Sequence, residues 1–327
     1  MTANADGTQR QALVLGASGG VGGEVARQLR DAGWQVRALK RGLDADAVER
    51  DGIAWMRGDA LDREAVVRAA RGCSVIVHAV NPPGYRNWST QVLPMLDNTI
   101  AAAATHAQAT VVLPGTIYNF GPDAFPVLHE DAPQHPVTRK GAIRVEMERR
   151  LQAATALGVR TIIVRAGDFF GAHAGNNWFG QGLVKAGRPV AAISVPGRPG
   201  IGHQWAYLPD VARTMVALVE RRATLEPFAR FHFGGHWDAD GTQMAQAVRR
   251  VAQRHGMQPA VRRFPWWLVW AAAPFVTTMR EMLEMRYLWR EPLRMDNARL
   301  TAELGREPLT PLDAAVETTL AGLGCLP

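Results

Sequence analysis

Ala12-Leu13-Val14-Leu15-Gly16-Ala17-Ser18-Gly19-Gly20-Val21-Gly22 is the stretch that decides how this chain folds. A short apolar run is followed at once by glycines at 16, 19 and 22. An amphipathic pattern then continues to about Ala32. Apolar run, glycine turn and periodic segment read as strand, tight turn and helix. Glycine is wanted here for three physical reasons. It permits the sharp turn, it lets backbone N–H groups approach a ligand closely, and it lets the helix pack against the strand.

Outward from this turn, the first half repeats the same rhythm. Gln35–Leu39, Ile53–Met56, Val75–Ala79, Thr110–Leu113 and Arg160–Val164 read as further strands. Helical patterns lie between them. One opens at Asp62, an N-cap, and runs to Arg71; one ends in an alanine run; one spans about Gly141–Leu157. Alternation of this kind predicts an α/β fold, a Rossmann-type doubly wound parallel sheet with helices on both faces. After Arg165 the rhythm loosens, with helices expected at 210–220, 242–255, 266–289 and 312–323. The expected organisation is a flexible tail at 1–9, a dinucleotide-binding part at 10–166, and a smaller, mainly helical substrate-binding part at 167–327, packed as one unit.

The turn and the N-terminus of its helix suit a pyrophosphate, which makes Gly16, Ser18, Gly19, Gly20, Val21 and Gly22 the expected cradle. The second strand bears on which dinucleotide. An NAD site places Asp or Glu about 20 residues past the glycines, where it accepts a hydrogen bond from the ribose 2′-OH. This chain has Arg37, Lys40 and Arg41 there, and its first acid is Asp44. A 2′-phosphate suits such a site, so NADP is expected over NAD; the other reading is that these are solvated charges at a strand end. Asp59 and Ala60 are expected at the adenine edge, and Ala79, Val80 and Asn81 at the nicotinamide ribose.

Composition sets limits. The 327 residues are 47% hydrophobic and 20% charged, which fits a folded protein with a sizeable core. Net charge is +7 and arginine-rich, with lysine only at 40, 140 and 185. The charge is scattered, which predicts a solvated basic surface and no nucleic-acid footprint. Cys73 and Cys325 stand far apart, fitting a reducing, cytoplasmic setting. The polar first residues lack a signal peptide's apolar stretch. The apolar segment 264–276 carries two prolines and is shorter than the ~20 residues that span a bilayer, so stable membrane insertion is not expected.

The landmarks G-A-S-G-G-V-G (16–22), G-D-A (58–60), H-A-V-N-P-P (78–83), G-T-I-Y-N-F-G (115–121), R-A-G-D-F-F-G (165–171) and H-Q-W-A-Y-L-P-D-V-A (203–212) occur in family order. Together they make most of the chain resemble the short-chain dehydrogenase/reductase superfamily, in its extended or atypical branch (epimerase/dehydratase-like, NmrA-like). The resemblance implies a Rossmann sheet, a smaller C-terminal substrate part, and Ala166 and Gly167 in the cofactor-binding set. It also implies a Ser or Thr after the fifth strand and a Y-x-x-x-K pair on the next helix. Thr116 fills the first position. At the second the chain departs from the pattern, with Lys140 in the tyrosine's place, Arg144 in the lysine's, and Glu148 in its usual place. Tyrosines stand at 85, 118, 207 and 287, and none is followed four residues later by lysine. Three readings stand. Lys140, desolvated near the nicotinamide, acts as general acid or base; Tyr118 substitutes; or Lys140 and Arg144 only hold the cofactor.

The residual features divide in the same way. His129, Glu130 and Asp131 read as a solvated loop, and no metal site is expected. Tyr85 and Trp88 either cover a substrate or pack. Trp266, Trp267 and Trp270 with Met279, Met282 and Met285 read as core, against an apolar substrate cavity or a transient lipid contact. The functional expectation is therefore an oxidoreductase or epimerase/dehydratase-like enzyme with a non-standard active site, acting on a small, apolar carbonyl substrate. The other reading is a non-catalytic, NADP-sensing regulatory protein of the NmrA-like type. An oligomer is compatible with either.

Overall fold

The computed structural model describes residues 10–82, 87–105, 109–175 and 177–327. The expected tail at 1–9 and Tyr85 lie outside them. Two compact units are woven from alternating stretches of chain.

The first unit holds the described residues up to Asn119, with Arg139–Arg165 and Ala212–Phe231. Its sheet has eight strands: β1 (Gln11–Leu15), β2 (Gln35–Lys40), β3 (Ala47–Arg50), β4 (Ile53–Arg57), β5 (Val75–His78), β6 (Thr110–Gly115), β7 (Arg160–Arg165) and β8 (Phe228–His232). Their spatial order is β8-β7-β6-β5-β1-β2-β4-β3. The six strands β4-β2-β1-β5-β6-β7 pair parallel, and β3 runs antiparallel on the β4 edge. That order is the doubly wound one, and the winding reverses between β1 and β5. The buried runs Ala12–Leu15, Val75–Val77 and Val111–Leu113 explain the parallel core, because strands covered on both faces read as continuous apolar runs.

Helices α1 (Gly20–Asp31), α2 (Arg63–Ala70), α3 (Trp88–Ala104) and α4 (Arg139–Ala153) flank this sheet. The Asp62 carboxylate caps α2, accepting from the N–H groups of Glu64 (2.9 Å) and Ala65 (3.1 Å), as its sequence position predicts. Two strands escape the sequence pattern. β3 is an exposed edge with little apolar alternation, and β8 arrives from far downstream.

In the second unit, Phe120–Thr138, Ala166–Val211 and His232–Pro327, small sheets accompany the helices. The strand His203–Tyr207 lies between Asp168–Phe170 (parallel) and His236–Asp238 (antiparallel). Ala192–Val195 pairs with Ala260–Arg263, and Val127–Leu128 with Arg294–Met295. Helix α5 (Leu208–Glu220) begins in this unit and ends in the first. It is followed by α6 (Gln243–Arg254), α7 (Trp266–Ala272), α8 (Thr277–Glu284), α9 (Ala298–Leu304) and α10 (Leu312–Gly322). Phe170, Phe179, Trp205, Tyr207 and Trp289 centre its core. The single helix expected over 266–289 is in fact α7, α8 and a 3₁₀ turn at Met285–Trp289. Pro274 lies between the two helices, and its missing N–H and ring do not allow the helical bonding to continue.

Candidate functional site

At the point where the winding reverses, the chain opens a cleft of about 430 Å³. Its walls come from the β1 turn (Gly16, Ser18, Gly19), the end of β2 (Lys40, Arg41), the β4 exit (Asp59, Ala60) and the β5 exit (Ala79, Val80, Asn81). Ten expected cofactor residues are thus brought together, and Leu15, Leu39, Gly58, Leu61, Pro82, Gln91 and Met95 complete the lining. Ligands of open α/β sheets bind at this place, outside the carboxyl ends of the strands.

The backbone explains the glycines. Gly16 has φ +87°, and a Cβ there would lie 2.5 Å from the Ala79 carbonyl oxygen. A Cβ on Gly22 would lie 2.3 Å from the Gly16 oxygen. Both positions exclude any side chain. Gly20, Val21 and Gly22 form the first turn of α1, which has no acidic residue and no side-chain cap. Its first N–H groups therefore remain available to an anion, at the positive end of the helix dipole. These residues fit a dinucleotide's pyrophosphate.

At the far end of the cleft the charge is positive. The Lys40 ammonium lies 5.6 Å from the centroid of the Trp55 ring, and Arg41 is 71% exposed with Nη1 3.7 Å from Asp59. The other Asp59 oxygen already accepts from the Leu61 N–H at 3.0 Å. Arg37 does not join them. Its guanidinium donates to the carbonyls of Ala69 (3.3 Å) and Arg71 (2.5 Å), closing the C-terminal end of α2.

Thr116, Tyr118, Lys140 and Arg144 do not line this cleft. Thr116 and Tyr118 follow β6, while Lys140, Arg144 and Glu148 succeed one another at i, i+4 and i+8 on one buried face of α4. Arg144 joins that face to the cleft by donating to Asn81 Oδ1 at 3.3 Å. Its guanidinium stacks over Trp88, which is buried and serves packing. Below it, Glu148 accepts from Arg165 Nε (2.9 Å) and from Asn119 Nδ2 (3.0 Å). Thr116 Oγ1 in turn donates to Asn119 Oδ1 at 3.3 Å. Asn119 and Arg165 were absent from the expected site set; both belong to quoted landmarks, but only the fold turns them toward Thr116.

His78, at the end of β5, is also newly placed. Nδ1 lies 2.8 Å from Thr99 Oγ1, and that hydroxyl already donates to the Met95 carbonyl, so Nδ1 is the protonated nitrogen. Burial first, and then the charge of Arg144, pulls its pKa down to about 3. Ala166 and Gly167 leave β7 in the second unit, where a Cβ on Gly167 would meet the Gln204 carbonyl oxygen at 2.2 Å. The 129–131 loop residues turn to different partners: His129 to Asp296 (3.0 Å), Glu130 to the His232 N–H (3.2 Å) and Asp131 to Arg299 (2.5 Å).

The chain belongs to the NAD dependent epimerase/dehydratase family, whose model matches residues 12–234. It spans half or less of the length of the curated relatives it matches. One of these, the (4-alkanoyl-5-oxo-2,5-dihydrofuran-3-yl)methyl phosphate reductase of Streptomyces griseus, is 38% identical over 95 residues, 29% of this chain and 30% of that one. Among solved structures, the Thermotoga maritima UDP-glucose 4-epimerase with UDP-glucose aligns with TM-score 0.71 at 14% identity, covering 95% of this chain and 98% of its own. Bordetella bronchiseptica WbmH in complex with NAD+ aligns at TM-score 0.66 and 16% identity, covering 96% and 98%. These structural likenesses confirm the fold, a Rossmann-type sheet.

Proposed function

We propose that this chain is an NADP-preferring oxidoreductase or epimerase/dehydratase-like enzyme whose proton route is built on Lys140 and Thr116 instead of a tyrosine. The observation that carries the cofactor reading is the adenosine end of the cleft. Lys40 and Arg41 line it, and the tip of β2 offers no carboxylate to a ribose 2′-OH. A 2′-phosphate matches those two cations and would be repelled by the acid that an NAD site carries.

When bound, the nicotinamide supplies hydride chemistry, and the chain's own residues bind, orient and move a proton. Gly16, Ser18, Gly19, Gly20, Val21 and Gly22 hold the pyrophosphate, with Asp59 and Ala60 at the adenine edge. Ala79, Val80, Asn81 and Arg144 hold the nicotinamide ribose, and Ala166 and Gly167 complete the set. Asn119 fixes the Thr116 hydroxyl, which positions a substrate oxygen; Lys140 exchanges the proton, with Tyr118 as the alternative donor. The substrate class is a small, apolar carbonyl compound, and the partial likeness to a reductase supports reduction as the chemistry.

The missing Y-x-x-x-K pair favours a second reading, a dinucleotide-sensing regulatory protein. Two measurements separate them. Calorimetric titration with NADP and NAD tests the cofactor, and consumption of NADPH across a panel of carbonyl compounds tests turnover. Turnover that collapses in Lys140→Ala and Thr116→Ala while NADP binding persists supports the enzyme. Turnover unchanged in Lys140→Ala and Tyr118→Phe removes both residues from the proton route. Tight NADP binding with no turnover across the panel favours the regulator.

A further inference from the structure

On the second unit, the corner made by α7 and the turn after it leaves its aromatic residues in water. Trp267 is 70% exposed, Trp270 59% and Phe275 88%, with Leu268 and Val276 beside them. Positions 267, 270 and 271 share one face of α7, whose opposite residue Val269 is buried. Large side chains grouped in this way mark an interaction surface, whereas single exposed apolar residues need no explanation.

The surrounding charge says what kind of partner fits. Residues 255–280 hold three arginines, Arg262, Arg263 and Arg280, and no acidic residue. Next to the corner, a second cleft of about 430 Å³ is lined by Arg198, Arg263, Arg286 and Arg290 together with Phe264 and Trp266, and by no carboxylate. Arg286 stacks 4.9 Å from the centroid of the Trp266 ring. The Trp266 indole N–H is anchored on the Pro196 carbonyl at 2.9 Å, which fixes that wall. Arg286 is held below the usual arginine range by burial and by the like charges of Arg290 and Arg198. The cluster is therefore a concentration of uncompensated positive charge.

We infer that this corner is a peripheral docking surface for an anionic phospholipid bilayer. Trp267, Trp270 and Phe275 enter the headgroup–acyl boundary, and the arginine cleft takes lipid phosphates. Tryptophan favours that boundary because its ring is apolar and its N–H remains hydrated. Basic residues alongside add attraction to anionic headgroups, and the two terms together anchor what neither holds alone. Among the described residues no helix is long and apolar enough to cross a membrane, so the contact is a surface one.

The test is co-sedimentation of the full chain with vesicles of phosphatidylcholine alone and of phosphatidylcholine mixed with phosphatidylglycerol, read together with tryptophan fluorescence. Binding to the mixed vesicles with a blue shift is expected, and about tenfold weaker binding to phosphatidylcholine alone. Trp267→Ser with Trp270→Ser, and separately Arg263→Glu with Arg286→Glu, are each expected to lower binding about tenfold. Both pairs lie on the surface, and unchanged circular dichroism melting confirms that they fold. A wild-type chain that stays in the supernatant, or binds both vesicle types equally, overturns the inference. So does inorganic phosphate binding in the cleft without vesicle binding, which would make it a soluble-phosphate site. Concentration-dependent self-association removed by the tryptophan pair, without lipid binding, would assign the corner to a second copy.

Discussion

Arg165 and Glu148 form a buried ion pair, with Arg165 donating from Nε and Nη2 to the two carboxylate oxygens while both side chains are almost wholly removed from water. The pair joins the last residue of β7 to the inner face of α4. Glu148 also fixes Asn119 and, through it, the hydroxyl of Thr116. Removing one partner leaves the other charge buried without its counter-ion. Glu148→Ala is expected to cost about 3–5 kcal/mol in chemical denaturation, and replacing both residues with Met to recover much of that loss. A double variant no more stable than the single one would show that the pair is not the source of the cost.

Asn119→Ala removes the link between Glu148 and Thr116 and leaves the ion pair in place. Turnover is expected to fall about ten- to hundredfold, with NADP affinity little changed, because the amide orients a hydroxyl and does not line the cleft. Parallel kinetics and calorimetry on the variant check both quantities.

Gly22→Ala would place a methyl group 2.3 Å from the Gly16 carbonyl oxygen, too close to backbone for a side chain to yield. A destabilisation of about 1–3 kcal/mol is expected, together with loss of dinucleotide binding. Thermal melting with and without NADP reads both effects, since the ligand-induced rise in Tm should vanish in the variant.

Arg41→Asp turns the rim of the cleft from cationic to anionic. NADP affinity is expected to drop about ten- to hundredfold while NAD affinity holds or rises, because only NADP carries the 2′-phosphate. Equal losses for the two dinucleotides would place the 2′-phosphate elsewhere.

His78 gives the fold an acid dependence. Its folded pKa, about 3, lies below the 6.5 of an unhindered imidazole. Between those values the unfolded chain binds a proton that the folded chain does not, so this contribution to stability is complete above about pH 6.5 and lost progressively down to about pH 3. His78→Leu is expected to flatten the fall in stability across that window, as urea titrations at several pH values would record.

Much of the first unit was legible because its signals are local. Buried parallel strands must be continuous apolar runs, and the turn between β1 and α1 admits only glycine at 16 and 22. The capping of α2 by Asp62 was equally local, one carboxylate reaching N–H groups two and three residues ahead. β3 was not legible, since an exposed antiparallel edge strand carries little apolar alternation. Nor was the break at Pro274 within the segment read as one helix, because apolar periodicity continued across it.

The sequence by itself determined the winding of the sheet, the glycine cradle, the basic end of β2 and the loss of the tyrosine–lysine pair. Each depends on residue type at a fixed local spacing. Only the tertiary structure decided which charged residues act together. It turned Arg37 away from the cleft to close α2, while Lys40 and Arg41 stayed in it. It also brought Asn119, Glu148 and Arg165, from three separate elements, into one buried network under Thr116. A long polar side chain can reach several partners from one backbone position, and burial fixes which of them it takes, because a buried charge must be paired wherever the packed elements allow.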